Sequence, residues 1–543
     1  QRHRGPDGEG SWVHPNGGVG LGHRRLAVLD LGGGGQPATD GNWVVSDAEG
    51  YNYPELGHPS SDTQAILLSY PRWGPNCAER FRGMFALALW DESRQELFCA
   101  RDRFGVKPLY YAVVDDLFYC ASEAKALLPF LPSVQTDPQG LLDYLAFQYC
   151  LGGKTLFQGI QQLPPGHTLT VSRDRVQQRR YWEPPRPGET PPDLAQRFED
   201  AVALCLRSDV PLGIFVSGGL DSSLLVALLA EQGVDDLMTF SVGFEDQPEE
   251  RGHEFEYSDA VAAHFSTRHH QFHIPNSQAL SRLPEAVDAM AEPMVGQDAI
   301  AFYLLSEQVA RTVKVVQSGQ GADEVFGGYY WYPRMQAETE GAAVERFRRH
   351  YFDRDHAEFL ELADPALHGA DQTADYVAER LAEPDADTFI DQVLRLDVTT
   401  LITDDPVKRV DNMTMAWGLE ARVPFLDHEL VELAARMPPE LKLTSGGKHI
   451  LKRIARGLLP DAVIDRSKGY FPMPALKYVR GDFLHFMRDV LQSQACRQRG
   501  LYQRAYVERL LAEPAQHHTR IQGSKLWHLA LLEFWLRRHV DTA

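Results

Sequence analysis

The residues Ser217-Gly218-Gly219-Leu220-Asp221-Ser222-Ser223 follow directly on an apolar run, Leu212–Val216, and lead into a helical pattern from Ser222 to Gln232 that Gly233 can stop. Glycines let the backbone turn tightly and present amide N–H groups, and the positive end of the next helix points at the same spot. Together they make an anion site suited to phosphate. Ser217, Ser222 and Ser223 add hydroxyl donors, and Gly218, Gly219 and Leu220 complete the loop. Asp221 would repel a phosphate, and it makes sense there if it holds a Mg²⁺ ion that also touches the phosphates. A plain strand-to-helix turn would need neither the hydroxyls nor the acid. The pattern is not a Walker A loop, which requires GxxxxGK[ST].

A second turn repeats the theme. Ser318-Gly319-Gln320-Gly321-Ala322-Asp323-Glu324 follows the apolar run Val313–Gln317 and precedes another helical stretch. Either acid could simply cap that helix. Two acids at a strand end beside the first loop are better explained by a metal, with Asp221 and Asp323 sharing Mg²⁺ on a pyrophosphate.

The elements that must position these turns divide at a proline-dense stretch, Tyr181–Pro192, which can neither sustain a helix nor donate a ladder of hydrogen bonds and reads as a linker over 184–193. Before it, short runs rich in Leu, Val, Phe and Tyr (Leu26–Leu31, Met84–Trp90, Glu96–Ala100, Leu109–Val114 and Leu117–Ala121) predict antiparallel strands. After it, strand–turn–helix units at Leu212–Val216, Met238–Gly243 and Val313–Gln317 predict a doubly wound parallel α/β sheet. From about Arg334 onward the pattern is helical, closing with an apolar-faced helix over Lys525–Val540. The expectation is two domains, 1–183 and 194–543.

Bulk composition narrows the partners. The 543 residues carry a net charge of −21, which disfavours nonspecific binding to nucleic acid or to an anionic membrane. No apolar run is long enough to span a bilayer, and the polar start, Gln1–Asp7, is not a signal peptide. The six cysteines are scattered without a CxxC pair, so neither a zinc ribbon nor a disulfide scaffold is suggested. A cytoplasmic setting is the default, and the composition is compatible with a homodimer.

The heptad at Ser217 resembles the pyrophosphate loop of the ATP pyrophosphatases, and the SGxGADExFGGY pattern over Ser318–Tyr329 narrows the resemblance to the asparagine synthetases. Asp411–Asp427 looks like that family's substrate-facing segment, and Gly447-Lys448-His449-Ile450-Leu451-Lys452 looks like its GKxxLR element. The resemblance implies ATP as a substrate, Val242 and Gly243 on the adenine side, and Ser318 and Gly319 beside the phosphates. It also implies Lys448 neutralising the leaving pyrophosphate. Gln320 stands where the family has a catalytic Glu; it keeps hydrogen bonding but cannot act as a general base.

The amino-terminal half is similar to the family's glutaminase domain, a β sandwich with helices of the N-terminal-nucleophile class. The matching stretches are Arg2–Gly8, Gly22–Leu26 and Arg101–Tyr110. The resemblance assigns Arg25, Glu49 and Asp62 to glutamine. Two features differ from the family pattern. The sequence as given starts at Gln1 rather than at the nucleophilic Cys, so either an upstream stretch is missing or the domain is degenerate, and as given it should not hydrolyse glutamine; Asp47 replaces the oxyanion-hole Asn.

The implied reaction joins a small-molecule carboxylate (an amino acid or dipeptide) to ammonia, normally from glutamine, with release of AMP and pyrophosphate. The segments Gln317–Pro333 and Asp405–Asn412 look most like a subgroup that amidates N-acetylglutaminylglutamine. Asparagine synthesis, intramolecular amide formation of the β-lactam synthetase kind, and a nucleotide-binding scaffold without catalysis are the alternatives.

Overall fold

The computed structural model describes residues 1–188, 194–384, 386–466 and 473–542. Its amino-terminal part is layered. A six-stranded antiparallel sheet runs in spatial order Arg175–Arg180, His167–Ser172, Glu96–Arg101, Gly83–Asp91, Trp43–Gly50 and Ala38–Thr39. The two-residue alternation of a strand decides what covers each face. Phe85, Leu87 and Leu89 pack against Ile66, Leu67 and Tyr70 of the helix Asp62–Trp73. Ala86 and Ala88 turn to the other side, toward a three-stranded sheet of Leu117–Ala121, Tyr110–Val114 and Gln161–Gln162.

Four of the five expected amino-terminal strands form. The exception is Leu26–Leu31, which holds no strand; the strand is Gly20–Arg25 just before it, paired with Gly8–Val13. That hairpin is rich in Gly and Arg, so its backbone ladder forms without the apolar signal that reveals the others.

The stretch Arg101–Lys107 proves to be a scaffold. Arg101 is fully buried and donates to the carbonyls of Gly105, Lys107 and Leu163, while Asp102 accepts the amides of Phe85, Phe104, Val106 and Lys107. A buried charge is tolerated when its hydrogen bonds are met in this way.

The second part is built on a five-stranded parallel sheet. In space the strands run Arg268–Ile274, Met238–Phe244, Leu212–Phe215, Val315–Gln317, Glu420–Arg422. Numbered by sequence, this is the order 3-2-1-4-5. The direction of winding reverses between Leu212–Phe215 and Val315–Gln317, and the crevice beyond the carboxyl ends of those two strands is where such sheets bind ligands. Both Gly-rich turns leave from that point.

The closing helix, Lys525–His539, is started by Ser524, whose hydroxyl accepts the Trp527 amide at 3.2 Å. Trp527 and Trp535 are buried, and their indoles donate to the carbonyls of Val295 and Met290. Truncating either would cost about 3–5 kcal/mol. One continuous core joins the two parts, taking Met84, Phe104 and Tyr144 from the first and Leu224, Phe326 and Leu529 from the second. Of the expected linker, Pro184–Gly188 has no regular structure and 189–193 lie outside the described residues.

Candidate active site

The first turn is held in shape from within. The Gly219 amide donates to Ser217 Oγ at 3.2 Å, and the Ser217 amide donates to Ser222 Oγ at 3.2 Å. Gly218 has φ +72°, and a Cβ there would lie 2.5 Å from the Ser258 amide nitrogen, so only glycine fits. The helix begins at Leu220, two residues earlier than the sequence pattern suggests, which brings Asp221 into its first turn.

The second turn starts with the Ser318 amide bonded to the Arg422 carbonyl at 2.8 Å and passes through Gly321 at φ +93°. Its two acids separate. Asp323 faces the crevice, whereas Glu324 is buried and accepts the Tyr329 hydroxyl at 2.6 Å.

Lys448 closes the arrangement. Its ammonium lies 2.5 Å from Asp221 Oδ2 and 2.6 Å from Asp323 Oδ1. The residue is in the left-handed region (φ +54°), its amide donates to the Phe326 carbonyl, and it leads into the helix His449–Ala455. The fit is tight. A Cβ on Gly328 would fall 2.0 Å from Asp323 Oδ1 and 2.1 Å from Lys448 Cε. Burial alone would lower the Lys448 pKa, but the charges of Asp221 and Asp323 outweigh it and hold the ammonium above the ordinary lysine range. The two carboxylate oxygens therefore sit within about 5 Å of each other, on either side of one cation.

That geometry also bears on Mg²⁺. Among the described residues no group of three or more His, Cys, Asp or Glu is placed to hold a metal. Two converging carboxylates suit a cation that takes its other ligands from phosphate and water, as Mg²⁺ does.

These groups border a cavity of about 560 Å³. Ser217, Gly219, Leu220, Asp221, Ser222, Ser318, Gly319, Gln320, Asp323 and Lys448 all reach it. Gly218, Ser223, Val242 and Gly243 do not. Ser223 is fully buried on the inner face of its helix, Val242 is buried in the sheet, and Gly243 packs against His253 and Phe255. Lys452 also borders the cavity while donating to the Ser445 carbonyl at 2.7 Å.

The far wall carries residues from two segments singled out by resemblance, joined by others with no signal of their own. Arg409 Nε is 2.9 Å from Asp298, and the same guanidinium is bonded to Asp405. Gln148, Tyr329, Trp331 and Tyr351 complete that side, with the rings of Tyr329 and Trp331 stacked 4.1 Å apart. Asp397–Leu401 and Thr403–Val407, which precede Arg409, are wound as π-helix, a rare form that recurs at functional sites. Arg409 and Asp405 lie in a segment already singled out by resemblance, whereas Asp298 has no signal in the sequence.

Arg25, Glu49 and Asp62 meet at a second cavity, of about 1070 Å³, in the amino-terminal part. Arg25 donates there to the carbonyls of Leu29 and Asp30, and burial pushes the Asp62 carboxyl up to about 6. Glu49 is bonded to Arg422 of the second part at 2.7 Å. Asp47 lies 2.9 Å from Arg4 and 3.1 Å from Lys107, and Arg4 is 2.8 Å from Asp411. Burial would raise the Asp47 pKa, but Lys107 and Arg4 hold it below the usual carboxylate range. Asp47 thus holds Arg4 and Lys107 in place, and Arg4 carries the contact to the second half.

A crevice lined by two Gly-rich turns at the reversal point of a doubly wound sheet, coupled to a layered antiparallel part, is the architecture expected of an ATP-dependent amidotransferase. Comparison with known proteins agrees. The asparagine synthase family matches residues 193–537, and the glutamine amidotransferase domain matches residues 1–182. The chain belongs to the asparagine synthase family, and it is an ATP-dependent carbon–nitrogen ligase.

It is 30% identical to asparagine synthetase [glutamine-hydrolyzing] 1 of Bacillus subtilis (strain 168), over 98% of this chain and 91% of that one. It is 32% identical to asparagine synthetase [glutamine-hydrolyzing] 3 of the same organism, over 86% and 82%. With asparagine synthetase B [glutamine-hydrolyzing] of Escherichia coli (strain K12) the identity is 28%, over 87% and 77%. No helix among the described residues is long and apolar enough to cross a membrane.

Proposed function

We propose that the chain adenylates a carboxylate of N-acetylglutaminylglutamine at the 560 Å³ cavity, releases pyrophosphate, and lets ammonia displace AMP to give the amide. The observation that carries adenylation is the Lys448 ammonium held between Asp221 and Asp323 where the two Gly-rich turns meet. In this reading Ser217, Gly219, Leu220, Ser222, Ser318 and Gly319 present donors to the phosphates, and Lys448 follows the charge that grows on the leaving pyrophosphate. Mg²⁺ held by Asp221 and Asp323 would neutralise phosphate charge.

Support for a dipeptide comes from the far wall. Asp298 and Asp405, both bonded to Arg409, offer acceptors to amide N–H groups, and Tyr329, Trp331 and Tyr351 offer apolar surface. Gln320 borders the cavity as a neutral hydrogen-bonding group, so the proton lost by the attacking ammonia must leave by another route. Aspartate as acceptor is the second reading, favoured by the names of the relatives.

The test is ATP–pyrophosphate exchange with Mg²⁺, run with the dipeptide and with aspartate, followed by ammonium and detection of the amide. Exchange and amide formation with the dipeptide alone are expected. Exchange with aspartate alone would overturn the dipeptide assignment and leave the adenylating site standing.

A further inference from the structure

Two of the six cysteines are neighbours. Cys99 lies on the strand Glu96–Arg101 of the six-stranded sheet, and Cys120 lies on Leu117–Ala121 of the three-stranded sheet. They meet in the layer between the sheets, where Cys120 packs against the cluster that contains Cys99, Ala86 and Ala88. Ala88 is the register partner of Cys99, and small side chains at this point let the two sheets approach closely. Both side chains belong to that one packed layer between the sheets.

Their surroundings differ in a way that assigns roles. Cys99 is fully buried, whereas Cys120 is half-buried and borders the 1070 Å³ cavity. No other cysteine of the described residues reaches that cavity. The neighbouring Cys99 thiol holds the Cys120 thiol below the ordinary cysteine value, while Cys120 and burial push the Cys99 thiol up.

We propose that Cys120 and Cys99 are an oxidation site served through the amino-terminal cavity, with Cys120 as the thiol that meets a peroxide and Cys99 as the thiol that resolves it into a disulfide between the two sheets. The Cys120 thiolate attacks one peroxide oxygen, the O–O bond breaks, and the other oxygen leaves as water after taking a proton. The Cys99 sulfur then attacks the Cys120 sulfenic acid; the S–O bond breaks, the S–S bond forms, and the oxygen leaves as a second water with the Cys99 proton. Both sulfurs are oxidised and the peroxide is reduced. The site does not depend on the proposed nucleotide chemistry, since neither residue borders the nucleotide cavity.

The experiment treats the full chain with hydrogen peroxide, blocks remaining thiols with an alkylating reagent, and maps peptides by mass spectrometry beside a thiol titration in denaturant. Titratable thiols are expected to fall from six to four, with one linked peptide joining Cys99 to Cys120, reversed by dithiothreitol. In Cys99→Ser, dimedone should label Cys120; in Cys120→Ser, Cys99 should stay unlabelled and no linked peptide should form. The mapping of the unsubstituted chain decides the matter if either variant folds poorly. A full titre of six after treatment that oxidises glutathione in the same tube would overturn the proposal. So would a linkage through another cysteine, or Cys120 driven to the sulfinic acid while Cys99 remains a thiol.

Discussion

Replacing Lys448 with Met removes a cation that sits between Asp221 and Asp323 while keeping most of the side-chain volume. Opposite unit charges about 4 Å apart attract by about 4 kcal/mol at an effective dielectric near 20. Lys448 makes two such contacts with its side chain 9% exposed, and the attraction outweighs its burial, because its pKa ends above the ordinary value. The substitution takes that ammonium away from both carboxylates.

Two consequences follow. Transition-state charge on pyrophosphate loses its partner, which should lower the exchange rate by about a hundred- to a thousandfold, or roughly 3–4 kcal/mol. At the same time, with Lys448 no longer competing for Asp221 and Asp323, Mg²⁺ should bind more tightly without nucleotide than it does in the unsubstituted protein, seen as a Mg²⁺-dependent rise in thermal midpoint. The assay is ATP–pyrophosphate exchange beside a thermal melt with and without Mg²⁺. Exchange within about tenfold of the parent would refute the role given to Lys448. A melt indifferent to Mg²⁺ would refute the shared carboxylate site.

Gly328→Ala should be nearly as damaging to exchange, because its Cβ would fall 2.0 Å from Asp323 Oδ1 and 2.1 Å from Lys448 Cε; calorimetry should show the protein still folded. Arg422→Met removes the fully buried partner of Glu49 and Glu420 and should cost about 3–5 kcal/mol in urea unfolding, since both buried acids lose their guanidinium and Glu420 keeps Lys107 at 3.7 Å. Lys442 is buried, and burial lowers its pKa from 10.5 to about 8. Between those two values the unfolded chain binds the proton and the folded chain does not, so this residue makes stability rise with pH across that window. Lys442→Met should therefore stabilise the protein by about 3 kcal/mol below pH 8, an advantage that fades as the pH approaches 10.5. Urea midpoints at pH 7 and pH 9.5 would check it, and an equal gain at both would contradict it.

The parallel sheet and its two turns were legible because buried strands and Gly-rich strand ends leave dense local signals. Leu212–Phe215 and Val315–Gln317 are apolar runs followed at once by glycine and acid. The strands Arg268–Ile274 and Glu420–Arg422 escaped notice because their residues (RHHQFHI and EAR) are polar, and only their neighbours make them strands. The split between Asp323 and Glu324 was equally hidden: adjacent acids look alike in sequence, and the Tyr329 hydroxyl that claims Glu324 is placed by the fold. Asp47 shows the converse. As a bare substitution it reads as an obstacle to an oxyanion, yet Arg4, Lys107 and Asp411 make it part of the contact between the halves, drawing on residues from three distant stretches of chain.

The central claim is that the acceptor carboxylate attacks the α-phosphate of ATP. The most direct measurement uses an acceptor whose carboxylate oxygens are heavy-isotope labelled, turned over with ATP, Mg²⁺ and ammonium, with the nucleotide product and the phosphates read by mass spectrometry. Adenylation predicts one labelled oxygen in AMP and none in pyrophosphate. Label in inorganic phosphate alongside ADP would contradict it, because the carboxylate would then have been activated as an acyl phosphate.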